Sequence, residues 1–262
     1  MAKRHVVTFM VLTSLIPCAG CRLEVNGGVR GNGDVATETR ALDRIDAVAL
    51  ECRGDLVIAL GDREELIVEA ESNLIELIVS EVEDGKLTLR ASRGTSLRPT
   101  RPIRFALTVR SLDAIRNTGS GDITAPRLRS ERMDIELTGS GDLALQGLAS
   151  GACSLRLTGS GDATIGELRA DELTVRQSGS GDVEIDEGGA ERFEARLSGS
   201  GDCKAAGFRA RRASVHASGS GGVSVHVEDV LECRISGSGG VRYGGDPDVE
   251  VTTTGSGRAE RR

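Results

Sequence analysis

From residue 117 onward, apolar and polar residues alternate in a register that repeats along the chain. Take the first glycine of each Gly-Ser-Gly as position zero. Apolar side chains fall six, four and two places before it: Met133, Ile135, Leu137; Cys153, Leu155, Leu157; Phe193, Ala195, Leu197; Ala213, Val215, Ala217; Leu231, Cys233, Ile235. They return four and six places after it, from Ile123 and Ala125 to Val223 and Val225, and nine places after at Leu128, Leu148, Leu168 and Phe208. Strict alternation predicts half-buried strands. Gly-Ser-Gly itself begins at Gly119, Gly139, Gly159, Gly179, Gly199, Gly219, Gly237 and Gly255, with five intervals of 20 residues and then two of 18. A fixed period of this length is the signature of a solenoid.

The predicted fold is therefore all-β: a parallel β-helix of ~20-residue coils, right-handed because parallel crossovers are. Each coil is expected to hold two short strands meeting at a Gly-Ser-Gly corner. Coils stacked ~4.8 Å apart would give the seven intervals a length of ~34 Å. By parity, Gly119, Gly121, Gly139, Gly141, Gly159, Gly161, Gly179, Gly181, Gly199 and Gly201 point inward, and the motif's Ser points out. A side chain at those glycines is expected to collide with the core or to require φ > 0.

The same pattern is looser before residue 117. Residues 41–116 are expected to form irregular β coils of the same domain, with residues 117–258 as regular repeats and 259–262 as a tail. Arg40–Leu50, Leu66–Ala70, Leu87–Ala91 and Ile103–Val109 look like strands, and Leu74–Val79 is either a strand or one helical turn. Asp84-Gly85 is a tight hairpin signal, and Pro99 and Pro102 mark a loop among Arg98, Arg101 and Arg104. Cys52-Arg53-Gly54-Asp55 has the shape of a Gly-Ser-Gly-Asp corner with two substitutions. It also contains the adhesive Arg-Gly-Asp tripeptide, but Gly-Asp is the local repeat grammar, which favours the turn. Gly31-Asn32-Gly33-Asp34 is either a decayed copy of the motif or part of a flexible tether over residues 21–40.

Composition narrows the picture. Of 262 residues 35 are Gly, aromatics are 2% and Trp is absent, so the core must rest on Val, Ile, Leu and Ala. A net charge of −7 offers no electrostatic footprint for nucleic acid. Lys3 and Arg4 followed by the apolar run Val6–Ile16 predict a signal peptide over residues 1–20. Cys18-Ala19-Gly20-Cys21 resembles a bacterial lipobox, making Cys21 the expected lipidation site, with plain secretion and a retained anchor as alternatives. Cys52, Cys153, Cys203 and Cys233 remain. An exported chain invites disulfides, yet Cys153, Cys203 and Cys233 fall at inward positions with no Cys in the same place on the next coil, which favours small buried apolar residues.

Outward positions also form ladders. Three places before the corner stand Arg116, Glu136, Arg156, Arg176, Arg196, His216 and Arg234; one place before stand Thr or Ser. After the motif comes a carboxylate ladder of Asp122, Asp142, Asp162, Asp182 and Asp202. Stacked carboxylates ~4.8 Å apart repel by ~0.9 kcal/mol per pair in water before screening, so the ladder needs compensation. Either each Asp accepts backbone N–H bonds from its own or an adjacent turn, or a divalent cation, Ca²⁺, sits between rungs. Catalysis finds little support: Ser in Gly-Ser-Gly recurs eight times, and His216 and His226 have no distinctive nucleophile nearby. Regular repetition argues against an enzyme, although some β-helices process polysaccharides with Asp clusters.

The repeated Gly-Ser-Gly-Asp, the lead-in Leu42-Asp43-Arg44-Ile45-Asp46-Ala47-Val48 before Gly54-Asp55-Leu56-Val57-Ile58, and the closing Tyr243-Gly244-Gly245-Asp246-Pro247-Asp248-Val249 before Gly255-Ser256-Gly257 resemble a bacterial family, the putative auto-transporter adhesin, head GIN domain. The resemblance covers about residues 40–258 and departs from the pattern at Cys52-Arg53 and where Asp is lost after Gly221 and Gly239. It implies an exported β-helical protein, often lipid-anchored in the cell envelope, and no catalytic residues. The expected role is non-enzymatic: an adhesin-like or ligand-binding surface for an envelope or extracellular protein or glycan, held at the membrane by its N-terminal lipid. A self-associating scaffold is the alternative and a polysaccharide-processing enzyme the outlying one. No cofactor beyond Ca²⁺ is implied.

Overall fold

The computed structural model describes residues 28–262; the expected signal peptide, Cys18 and the lipidation site Cys21 lie outside the described residues. In chain order the elements begin with β1 (Val29–Arg30), β2 (Val35–Ala41), β3 (Ala47–Leu50), β4 (Asp55–Leu60) and β5 (Glu65–Glu71). A helical turn, α1 (Ser72–Ile75), leads to β6 (Ile78–Glu83), β7 (Lys86–Ala91), β8 (Leu97–Arg98), β9 (Arg104–Val109) and β10 (Ala114–Asn117). Then come the long strands β11 (Ile123–Leu137), β12 (Leu143–Leu157), β13 (Ala163–Gln177), β14 (Val183–Leu197), β15 (Cys203–Ala217) and β16 (Val223–Ile235), and finally β17 (Val241–Gly244), β18 (Asp248–Thr253) and β19 (Ala259–Arg261).

The long strands pair in parallel with a 20-residue offset, Ile123 opposite Leu143, Leu143 opposite Ala163 and so on, which makes a parallel β-solenoid of about seven turns. β16 has 13 residues, and the coils of β11 to β15 each carry one 15-residue strand rather than two short ones. That strand is bent: Pro126 and Glu131 drop out of the pairing register, and the inward residues run Ile123, Ala125, Leu128, Met133, Ile135, Leu137. Side chains alternate along a straight strand, so the odd steps from 125 to 128 and from 128 to 133 each mark a bend. With the Gly-Ser-Gly corner, three bends close the coil around its core. On β14 the inward ladder Leu128–Leu148–Leu168 is interrupted by Gly188, at φ +124°. Phe208, its partner on the next coil, packs edge-to-face on Phe193 with ring centroids 5.8 Å apart. The shortening to 18 residues is absorbed on the middle stretch, where the β15–β16 register shifts between Ala205 and Arg209 and again between Ala210 and Arg212.

The front section is a cap, and it is not sequential. β3 and β4 form a coil sandwiched between β10 and β11 on one side and the later strands β7 and β9 on the other. The chain thus leaves the stack after β4, folds beneath it and returns. The antiparallel pairs β5–β9, β2–β5 and β6–β7 then cover the sheet edges at this end, as the exposed end of a solenoid requires. Asp84 and Gly85, both at positive φ, turn the β6–β7 hairpin.

Three expectations are corrected. Residues 40–50 are not one strand, because the segment between β2 and β3 leaves one sheet edge to join another. The tether expected over residues 21–40 is docked from residue 28: Asn32 N–H donates to Asn73 Oδ1 (3.0 Å), and Ser72 N–H donates to the carbonyl of Asp34 (2.7 Å). The tail expected at 259–262 carries β19, which pairs with β17.

Candidate functional site

The repeated corner has two sides, and the structure assigns them different physics. On one side, Asp142 N–H donates to Asp122 Oδ1 at 2.9 Å, Asp162 N–H to Asp142 Oδ1 at 2.8 Å, Asp182 N–H to Asp162 Oδ1 at 2.7 Å and Asp202 N–H to Asp182 Oδ1 at 2.8 Å. The series starts one coil earlier, with Asp122 N–H on Asp55 Oδ1 (3.2 Å), and ends at Gly222, whose N–H donates to Asp202 Oδ1 (2.7 Å) but which offers no carboxylate onward. The residue after each Asp donates to the carbonyl at the Asp position of the next coil, as Ile123 N–H does to Asp142 O at 2.8 Å and Cys203 N–H to Gly222 O at 2.8 Å. The carboxylate therefore supplies the acceptor that parallel pairing lacks at the bend. Oδ1 is committed to the adjacent coil, leaving Oδ2 outward; Lys204 Nζ takes Asp182 Oδ2 at 2.6 Å. That contact, opposed by partial burial and helped by Asp202 N–H, holds Asp182 below the usual carboxylate range. Among the described residues no group of three or more His, Cys, Asp or Glu is placed to hold a metal ion.

Cys52-Arg53-Gly54-Asp55 stacks in register under Gly119-Ser120-Gly121-Asp122, so the Arg-Gly-Asp tripeptide is a corner. The glycines need a different reason from the one expected. None of the ten from Gly119 to Gly201 has positive φ, and a Cβ on them would meet the neighbouring coil rather than the core. On Gly141 it would overlap the carbonyl oxygen of Gly121 and lie 2.7 Å from its carbon, where real Cβ contacts stay beyond 3.0 Å. A hydrogen occupies that place instead, in the manner of a Cα–H···O contact between coils.

Two polar residues interrupt the apolar ladder just before the corner. Asn117 is fully buried, its Nδ2 donating to Gly121 O at 2.8 Å and its Oδ1 accepting Gly119 N–H at 3.1 Å. Gln177 donates Nε2 to Gly181 O, but its buried Oε1 has no partner. Both break an apolar pattern visible in the sequence. Glu71 gives no such signal. Fully buried at the end of β5, it accepts Gly33 N–H (2.6 Å), Thr100 N–H (2.8 Å), Thr100 Oγ1–H (2.6 Å) and Arg101 N–H (3.3 Å). Burial alone would push its pKa up; the hydrogen bonds from Thr100, Gly33 and Arg101 bring it down to about 2. Cys52, Cys153, Cys203 and Cys233 are free and buried. Burial, with nearby carboxylates at the first three, pushes those thiols up to about 12; burial lifts Cys233 to about 11.

On the other side of the corner, the cation ladder runs in register through Arg116, Glu136, Arg156, Arg176, Arg196, His216 and Arg234. Arg116 pairs with Glu136 at 2.7 Å and Arg196 with Glu194 at 2.6 Å, while His216 Nε2 lies 3.4 Å from Arg234 Nη1. A groove of about 440 Å³ lies between the last three of these, Arg196, His216 and Arg234, and the hydroxyl ladder of Ser198, Ser218, Ser236 and Thr254. His226 is half-buried on β16, away from that groove's lining.

A family model described as putative auto-transporter adhesin, head GIN domain, matches residues 44–247. Among solved structures, the chain is similar to a putative adhesin from Parabacteroides merdae, with 22% identity, a TM-score of 0.84, and coverage of 89% of this chain and 98% of that one. It is similar to a putative lipid binding protein from Parabacteroides distasonis, with 27% identity, TM-score 0.83 and coverage of 89% and 99%. A putative adhesin from the same organism gives 22%, 0.83, 89% and 99%. The fold is common to all of them. No curated protein matches the chain.

Proposed function

This chain belongs to the putative auto-transporter adhesin, head GIN domain family, and on that premise we propose that it is a non-enzymatic, exported cell-envelope lipoprotein, anchored through Cys21, whose solenoid displays an adhesin-like or ligand-binding surface. One observation carries the reading: the same outward residue types recur in register, coil after coil, on a frame whose corners are hydrogen-bonded to one another. An active site is a local exception to a pattern, whereas an extended binding surface is built from the pattern itself. The names of the structural relatives, adhesins and a lipid binding protein, support the same class. Among the described residues no helix is long and apolar enough to cross a membrane; the lipobox-like Cys18-Ala19-Gly20-Cys21 makes a lipid on Cys21 the proposed attachment. The test is retention of the full-length Cys21→Ala protein, added from solution, on intact cells and native envelopes. Saturable retention supports the reading; cleavage of envelope polysaccharide by the purified protein refutes it. Expressed in a host rather than added, Cys21→Ala should release the protein from salt-washed membranes, and continued membrane retention refutes the anchor.

A second reading, a self-associating scaffold, has its own observation. β18 lies along the last coil with every residue exposed, including Val249 and Val251 at positions that are core in the coils before it. Concentration-dependent oligomers formed without ligand would favour the scaffold.

A further inference from the structure

The ladder Arg156–Arg176–Arg196–His216–Arg234 places a basic residue on each of five successive coils of a chain whose net charge is −7. Like charges one coil apart repel, and a fold under no other demand would alternate them, as Arg116 and Glu136 do at the start of the same ladder. The compensation within the strip is partial. Glu194 takes Arg196 and Glu232 flanks Arg234, but the corresponding neighbours of Arg156, Arg176 and His216 are Ser154, Thr174 and Ser214. Among the described residues Arg156 and Arg176 have no carboxylate within ion-pair distance. The Asp ladder runs across the corner, beyond the motif's serines, with Oδ1 tied to the next coil. The groove lies between Arg196, His216 and Arg234 of this ladder and the Ser/Thr ladder, floored at Leu197, Ala217 and Ile235; Arg156 and Arg176 continue the same ladder beyond its end, on the two preceding coils.

We propose that this basic ladder, from Arg156 and Arg176 into the groove at its far end, binds an extended acidic polysaccharide laid along the solenoid axis, guanidinium groups holding its carboxylates and the Ser/Thr ladder its hydroxyls. The inference rests on the binding-surface reading and gives it a ligand class. The spacing selects the polymer. Basic residues recur every ~4.8 Å along the axis, whereas side chains on one face of an extended peptide recur every ~6.8 Å, so an acidic peptide falls out of step by ~2 Å per rung. One pyranose of a polyuronate advances by nearly the coil spacing, so its carboxylates meet the ladder at every coil or every second coil. Planar guanidinium suits carboxylate recognition. Stacking on aromatic rings is not the means here, because Phe105, Phe193 and Phe208 are buried and Tyr243 is half-buried.

The experiment uses the full-length protein in detergent on immobilised polygalacturonate with EDTA present, against the fully methyl-esterified polymer, with poly-L-glutamate as competitor. Exposed guanidinium–carboxylate contacts each change affinity by a few-fold, so Arg156→Gln, Arg176→Gln and Arg196→Gln together should weaken binding by about tenfold or more. The combination Arg129→Gln, Arg209→Gln and Arg212→Gln, three exposed arginines on a different stretch of the coil, should change it less than about twofold. Both sets should keep the wild-type melting temperature. The methyl ester should not bind, and binding should weaken with added salt. Absence of polygalacturonate binding by the wild type, equal loss in both triple variants, or competition by polyglutamate as strong as by polygalacturonate would overturn the proposal. Retention on intact cells is scored separately: lost retention with polygalacturonate binding intact removes the envelope-adhesin reading and leaves the groove standing, and the reverse removes the groove alone.

Discussion

Removing one rung of the carboxylate ladder separates its attraction from its repulsion. Asp162→Ala deprives Asp182 N–H of the acceptor at 2.7 Å, and a hydrogen bond to a charged group contributes about 1.5–3 kcal/mol net, the low end applying to an exposed site. The same substitution relieves repulsion with Asp142 and Asp182. Two neighbours at ~4.8 Å give about 1.8 kcal/mol in unscreened water, about 1 kcal/mol at 0.15 M salt and less than ~0.5 kcal/mol at 1 M. Asp162→Ala should therefore destabilise by about 0.5–2 kcal/mol at 0.15 M salt, and the penalty should grow by about 0.6 kcal/mol at 1 M. Asp162→Asn keeps an acceptor without the charge and should stay within about 0.5 kcal/mol of wild type at low salt. The assay is urea unfolding of the three proteins at both salt concentrations, with and without EDTA. Equal losses for Ala and Asn, or a loss that vanishes in high salt, would refute the clip. An EDTA-dependent midpoint would replace it with a bound cation.

The packing and polar corners give further expectations. Gly141→Ala should force two coils apart and cost more than the ~1–3 kcal/mol of ordinary overpacking, whereas Gly147→Ala, whose Cβ would meet nothing closer than 3.2 Å and needs only a small shift of Arg127 and the Glu167 carbonyl, should cost less than about 1 kcal/mol; thermal melts that fail to separate the pair would contradict the coil-contact account. Gln177→Leu should change stability by less than about 1 kcal/mol, because removing an unpaired buried oxygen offsets the loss of the Nε2 bond to Gly181 O, whereas Asn117→Leu should lower it by about 1 kcal/mol or more, since both of its polar atoms are paired; a larger loss for Gln177→Leu than for Asn117→Leu would contradict this. Because Glu71 is held below its ordinary value of 4.5, at about 2, its contribution is complete above pH 4.5 and is lost as pH falls toward 2. Glu71→Gln should thus be less stable at neutral pH and show a flatter acid limb in unfolding midpoint against pH; an unchanged limb would contradict the assignment.

The regular coils were legible because inward alternation and a rigid period are both written in residue types. Ile123, Leu143 and Ala163 occupy one place in the repeat and one place in the stack. The Asp ladder's compensation was legible in kind, as a backbone hydrogen bond, although only coordinates show that each bond crosses to the adjacent coil. The front cap was less so. Its strands are ordinary in pattern, but placing β7 and β9 beneath β3 and β4 depends on long-range pairing, which periodicity does not encode. Glu71 was invisible because its role depends on Gly33 and Thr100, distant in sequence. The corner glycines were recognised with the wrong obstacle, since alternation locates a residue relative to the core and not relative to the next coil's carbonyl.

The corner has a structural side, the Asp clip, and a proposed interacting side, the basic ladder with its groove. Retention on native envelopes tests that division most directly, with Cys21→Ala present throughout to remove the lipid anchor and the Cys21→Ala protein serving as wild type. Asp142→Ala, Asp162→Ala and Asp182→Ala together are compared with Arg156→Gln, Arg176→Gln and Arg196→Gln together, each below its own melting temperature. The predicted result is that the Asp set melts earlier yet is retained like wild type, while the Arg set melts like wild type and is released. Release of the Asp set with full retention of the Arg set would contradict it.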